Sequence, residues 1–100
     1  MGYRDEITYA VLGPFTQRHD ARSSSRNRRF LGRARSIDEA TAIAAQALGQ
    51  ASDRGRAFVQ LWELEAGEAQ LAGEMTYESR PHWRLEEQYL DAVAASRVNA

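Results

Sequence analysis

Ser36-Ile37-Asp38-Glu39 sets a hydroxyl N-cap three residues ahead of a glutamate, the pattern of a capping box. The residues that follow put Ile37, Ala40, Ile43, Ala44, Ala47 and Leu48 on one stripe at helical spacing. Asp38 and Glu39 suit the positive end of a helix dipole, and Gly49 is a stop signal. The spacing predicts a helix over 37–48. Alanine dominates its apolar stripe, so the helix can lie close against a sheet.

Both flanks of this segment read as strands. In Ile7–Phe15, Ile7, Tyr9 and Val11 alternate with Thr8, Ala10 and Leu12, and Gly13-Pro14 punctuates the end. Arg29–Arg35 is a short strand that pairs back on the first. Ala57–Glu65 and Ala69–Glu78 flank Ala66-Gly67-Glu68, a hairpin turn. In the second of these, Leu71, Gly73, Met75 and Tyr77 share one face, while Gln70, Glu74, Thr76 and Glu78 share the wet one. In the first, Phe58, Trp62 and Leu64 match the buried side, which leaves Val59 and Leu61 outside with Glu63 and Glu65. Ser79 to Ala95 reads as a second, amphipathic helix, capped by Ser79, with Leu85, Tyr89, Ala92 and Val93 on its apolar stripe. The expected order is β-β-α-β-β-α: an α+β fold with an antiparallel β-sheet, one capped alanine-rich helix and a C-terminal helix. The 100 residues make a single domain over 1–100, with a flexible basic loop over 16–28 and a frayed end over 96–100.

Several functions are set aside on composition. The chain has no cysteine, which excludes disulfides, thiolate metal sites and cysteine nucleophiles. No apolar run approaches the roughly 20 residues of a membrane span, and no N-terminal block resembles a signal peptide, so a cytoplasmic location is expected. Two histidines, His19 and His82, stand far apart, and without thiols they make a poor zinc site. Neither a GxGxxG fingerprint nor a Walker-type phosphate loop occurs, and Ser23-Ser24-Ser25 lacks a nucleophile-elbow pattern. The expectation is a non-enzymatic protein with no catalytic residue, metal or cofactor.

Charge is the informative property. The net charge is −1, and all 13 basic residues are arginine. Arginine and alanine enrichment is what a GC-rich genome produces; the functional alternative is selection of the guanidinium fork for carboxylates and phosphates. Seven arginines and one acid fall in 18–35, whereas eight acids and two arginines fall in 36–79. Two candidate binding surfaces follow. One is a basic hairpin carrying Arg22, Arg26, Arg28, Arg29 and Arg33, able to neutralise phosphates; the alternative is a solvated hairpin tip. The other is an acidic face carrying Glu63, Glu65, Glu68, Glu74 and Glu78, which could mimic nucleic-acid phosphates or meet a basic patch on a partner; the alternative is charge that protects a sheet edge.

From Phe30 to Tyr77 the chain runs strand, capped alanine-rich helix, then aromatic-bearing hairpin, with Ser36-Ile37-Asp38-Glu39-Ala40 at the helix start and Phe58-Val59-Gln60-Leu61-Trp62 in the next strand. This half of the chain resembles small phage-encoded anti-CRISPR proteins, which set one helix against an antiparallel sheet. The resemblance implies a non-catalytic inhibitor that binds a CRISPR effector complex through charged surface residues. The leading expectation is therefore a small interaction protein of phage or mobile-element origin with a protein or ribonucleoprotein partner. The alternatives are a nucleic-acid-binding domain using the arginine hairpin and a structural domain that forms a homodimer. Replacing Ser36 by alanine should cost about 0.5–2 kcal/mol in denaturant melts, because an amide donor of the first helical turn loses its acceptor.

Overall fold

The computed structural model describes residues 7–18, 29–87 and Tyr89. Its elements are β1 (Thr8–Phe15), β2 (Phe30–Ala34), α1 (Ile37–Gly49), β3 (Phe58–Glu65), β4 (Glu68–Thr76) and β5 (Arg84–Leu85). They form one sheet in the order β2-β1-β3-β4-β5, antiparallel throughout. The architecture is α+β, as expected.

The cap works as its spacing requires, with one change of partner. The Glu39 N–H donates to Ser36 Oγ at 3.1 Å. The Glu39 carboxylate reaches one residue further back than in a capping box and accepts from the Arg35 N–H at 2.6 Å. The helix passes through Gly49 and ends at Gln50, and Arg54 covers the freed Gly49 carbonyl at 2.7 Å. Ala40, Ala44 and Leu48 are buried against Val11, Ala34, Val59, Leu61, Ala72 and Met75. Small side chains let the helix settle close to β1 and β2: a Cβ on Gly32 would stand 3.2 Å from Ile43 Cδ1.

Three irregularities decide which side chains share this core. Residues paired across strands point to the same face. Leu61 pairs with Gly73 but Trp62 pairs with Leu71, so Ala72 is an extra residue in β4. Val11 pairs with Gly32 but Leu12 pairs with Phe30, which makes Leu31 extra in β2. In β1, Gly13 and Pro14 bulge between Leu12 and Phe15. Gly13 has φ +135°, and a Cβ there would lie 3.0 Å from the Phe58 carbonyl oxygen. Its N–H donates to the Arg29 carbonyl at 2.7 Å.

These bulges overturn the strand facing read from alternation. Val59 and Leu61 are fully buried beneath α1, not exposed. Phe58 faces the opposite side, where it is buried with Leu12 and Phe15 and flanked by Trp62. Both sheet faces therefore carry apolar clusters, so the aromatic residues of β3 did not mark the helix side. In β4 the extra residue sends Leu71 to the far face with Trp62 and turns Gln70 toward the helix side with Glu63.

The second helix expected from Ser79 does not begin there: among the described residues α1 is the one helix element, the described order is β-β-α-β-β-β, and helical backbone is next met at Glu87 and Tyr89. The Ser79 hydroxyl accepts the Thr76 N–H at 3.0 Å, and the Ser79 N–H donates to Thr76 Oγ1 at 3.2 Å. A hydroxyl committed to the preceding strand is not capping a helix ahead of it. Arg84 and Leu85 then pair with Glu74 and Gly73 as β5. Gly73 admits this neighbour, because a Cβ would meet the Arg84 carbonyl oxygen at 3.0 Å. Trp83 is tied to the helix instead, its Nε1–H donating to Thr41 Oγ1 at 2.8 Å. Ala92, Val93 and residues 96–100 lie outside the described residues, as do 19–28 of the basic loop. No helix among the described residues is long and apolar enough to cross a membrane.

The β3–β4 hairpin closes on Ala66 (φ +52°) and Gly67 (φ +83°), two positive values in a two-residue loop. Glycine and asparagine enter this region readily and alanine does not. Ala66→Asn should raise stability by up to about 1 kcal/mol in urea melts without changing the m-value.

Candidate functional site

The two-residue turn folds Glu65 directly opposite Glu68, and the next pair on the same face is Glu63 with Gln70. Like charges placed directly opposite one another cost a hairpin stability. Glu63, Glu65 and Glu68 line a shallow cleft of about 320 Å³ together with Ala66, Ala69 and Gln70. Glu65 and Glu68 are exposed, and Glu63 is half-buried beside Tyr9, its partner on β1. The Tyr89 hydroxyl donates to Gln70 Oε1 at 3.3 Å. Among the described residues, none of these three glutamates forms an ion pair.

Glu74 and Glu78 do not join them. The bulge at Ala72 reverses the alternation, so Glu74 pairs with Gln60 on the face away from the helix. Glu78 is exposed beyond the end of β4. The five acids read as one surface are thus an acidic hairpin tip of three, plus two separate residues.

Glu74 has a partner that local sequence patterns could not reveal. Arg18 grips its carboxylate through both terminal nitrogens, Nη1 to Oε2 and Nη2 to Oε1, the latter at 2.7 Å. The same guanidinium lies over the Phe58 ring, with Cζ 4.2 Å from the centroid. The Glu74 hydrogen bonds, more than its charge alone, raise the Arg18 pKa above the ordinary arginine value, against a smaller opposing effect of burial. Beside this pair, Gln60 is only 8% exposed, and its Oε1 accepts the Trp62 Nε1–H at 3.0 Å. Arg18 and Glu74 are 56 positions apart, and only the sheet order brings them together.

Of the basic residues singled out, Arg22, Arg26 and Arg28 lie outside the described residues. Arg29 precedes β2 and Arg33 lies on it, and both are exposed. The bulge at Leu31 gives Phe30 and Arg33 a common face, since they pair with Leu12 and Ala10 of β1. Phe30 is 62% exposed. β2 is an edge strand, so this aromatic and its arginines border the sheet. His82 is exposed in the turn before β5, its N–H donating to the Ser79 carbonyl; His19 lies outside the described residues. Among the described residues, no cluster of three or more metal-ligating side chains occurs.

The antiparallel layout also answers how the charge is arranged in space. The acidic tip projects from the sheet end where β1 begins and β2 finishes. Arg18 and Arg29, which bracket the arginine-rich segment, stand at the opposite end, where β1 finishes and β2 begins. No family model, curated protein or solved structure matches the chain.

Tyr9 reports on the acidic tip. Burial, and then the Glu63 charge, raise its phenol above the usual value near pH 10. The fold therefore favours the neutral phenol more than the unfolded chain does. That contribution is whole below about pH 10 and disappears as pH rises through the raised folded value. In an ultraviolet titration Tyr9 should ionise later than a solvent-exposed tyrosine. Tyr9→Phe should remove that late step and flatten the alkaline loss of stability.

Proposed function

We propose that this chain is a non-enzymatic interaction protein that docks on a basic surface of a protein or ribonucleoprotein complex through its acidic hairpin tip. The observation that carries this reading is the convergence of Glu63, Glu65 and Glu68 on one cleft at the end of the sheet. Their mutual repulsion, with Glu65 facing Glu68, costs stability, and a basic partner relieves it. Dense negative charge at a projecting tip also steers encounter with a positive groove, as a phosphate backbone does. The resemblance across Phe30–Tyr77 supplies the partner class: a CRISPR effector complex, with this chain as its phage or mobile-element inhibitor. The cell interior is the location that such a partner requires.

A second reading has its own support. Phe30 and Arg33 share one face of an edge strand with Arg29 beside them, a base-stacking ring flanked by phosphate-binding cations. On that reading the chain binds nucleic acid directly.

Charge reversal separates the two. Glu65→Arg with Glu68→Arg should leave folding within about 0.5 kcal/mol, since both residues are exposed. It should slow capture of purified, guide-loaded effector complexes on an immobilised chain by about tenfold or more, with the largest effect at low salt. Capture equal to the parent's overturns the acidic-tip reading. If instead the parent binds labelled single-stranded oligonucleotides and Phe30→Ala with Arg33→Ala abolishes it, the nucleic-acid reading replaces the first.

A further inference from the structure

The contact of Arg18 with Glu74 and Phe58 has the form of a ligand in a receptor. The receptor half is built on strands. Glu74 sits in β4 between Gln60 of β3 and Arg84 of β5, and with Arg18 in place its side chain is only 19% exposed. Phe58 is buried in a packed aromatic pair with Phe15, the ring centroids 5.6 Å apart. Neither can move without disturbing the sheet. The ligand half is different. Arg18 lies three residues beyond the end of β1, in no strand, and its side chain remains 59% exposed.

We propose that Glu74 and Phe58 form a guanidinium-recognition site, held in cis by Arg18 and open in trans to an arginine side chain of a protein partner. The chemistry is specific to guanidinium. A planar fork satisfies both carboxylate oxygens at once while its flat face lies on an aromatic ring, and a lysine ammonium can do only part of this. Arg18 is the exposed member of the contact, so its displacement opens the site to an incoming arginine. The internal arginine acts as a tethered competitor, at an effective concentration of the order of millimolar for a short connection. A partner that supplies further contacts outcompetes it; an isolated arginine does not. The site lies on the opposite face of the sheet from the acidic tip, so it stands or falls independently of that surface.

Removing the internal ligand tests this. Arg18→Ala, labelled with nitrogen-15, is titrated with N-acetyl-arginine amide and followed by amide chemical shifts. Saturable shifts are expected at Phe58 and Glu74, about tenfold weaker or absent in the parent, where Arg18 competes. N-acetyl-lysine amide should bind about tenfold more weakly than the arginine compound. Arg18→Ala combined with Glu74→Gln should lose the arginine response. Shifts that do not saturate, or equal responses to lysine and arginine, overturn the proposal. Should Arg18→Ala unfold, Arg18→Met keeps the apolar stem over Phe58 and takes its place in the same titration. Unfolding of both variants also overturns it, because the receptor would then not exist without its own arginine.

Discussion

Everything in this fold is organised by the contact of an alanine-faced helix with the inner side of the sheet. Ala40, Ala44 and Leu48 are completely buried on Val11, Val59, Leu61 and Met75, themselves completely buried. Full burial of one such aliphatic side chain contributes roughly 1.5–3 kcal/mol, so a few of them exceed any surface ion pair in the molecule. The close approach is steric in origin: Ile43 of the helix packs on a glycine, Gly32 of β2, where a Cβ would stand 3.2 Å from Ile43 Cδ1. A bulkier stripe would lift the helix and leave Val59 and Leu61 poorly covered.

That contact fixes one face of the sheet and leaves the other to different chemistry. The far face gathers Leu12, Phe15, Phe58 and Trp62 with Gln60, Glu74 and Arg18. Bulges carry the transition between the two. An extra residue adds a half-period to a pattern whose period is two, so every side chain beyond it changes sides. Ala72 and Leu31 do this while remaining packed toward the helix themselves. The consequence for function is direct, because the bulge at Ala72 separates Glu74 from Glu63, Glu65 and Glu68.

The charged residues consequently serve different roles. The hairpin-tip carboxylates repel one another, with Glu65 and Glu68 exposed and Glu63 half-buried, an arrangement suited to a basic partner. Glu74 is neutralised internally by a guanidinium that also covers an aromatic ring. Arg54 and Arg80 are tied to the body of the protein as well, with their Cζ atoms 5.3 and 3.8 Å from the Tyr77 ring centroid. Arg29 and Arg33 stay exposed at the β2 border. Equal formal charges thus divide into those that hold the fold and those that face outward.

The sequence by itself determined what depends on near neighbours. The Ser36 cap, the helix it begins, the strands around it and the hairpin turn at Ala66-Gly67, read one residue too long to include Glu68, each follow from residues within about four positions, because capping, helical periodicity and turn dihedrals are local. The antiparallel α+β class followed from their order. Tertiary structure decided which face of each strand is inside, because a bulge has no signature in the alternation it interrupts: Phe58 and Val59 both look apolar, and both are buried, on opposite sides. It also decided that Arg84 and Leu85 extend the sheet rather than a helix. Gly73 leaves room for a fifth strand, and the Ser79 hydroxyl is already spent on Thr76. The pairing of Arg18 with Glu74 lay furthest from view, since nothing local links two residues separated by half the chain. Only the antiparallel stacking of β1, β3 and β4 places the end of one strand over the middle of another.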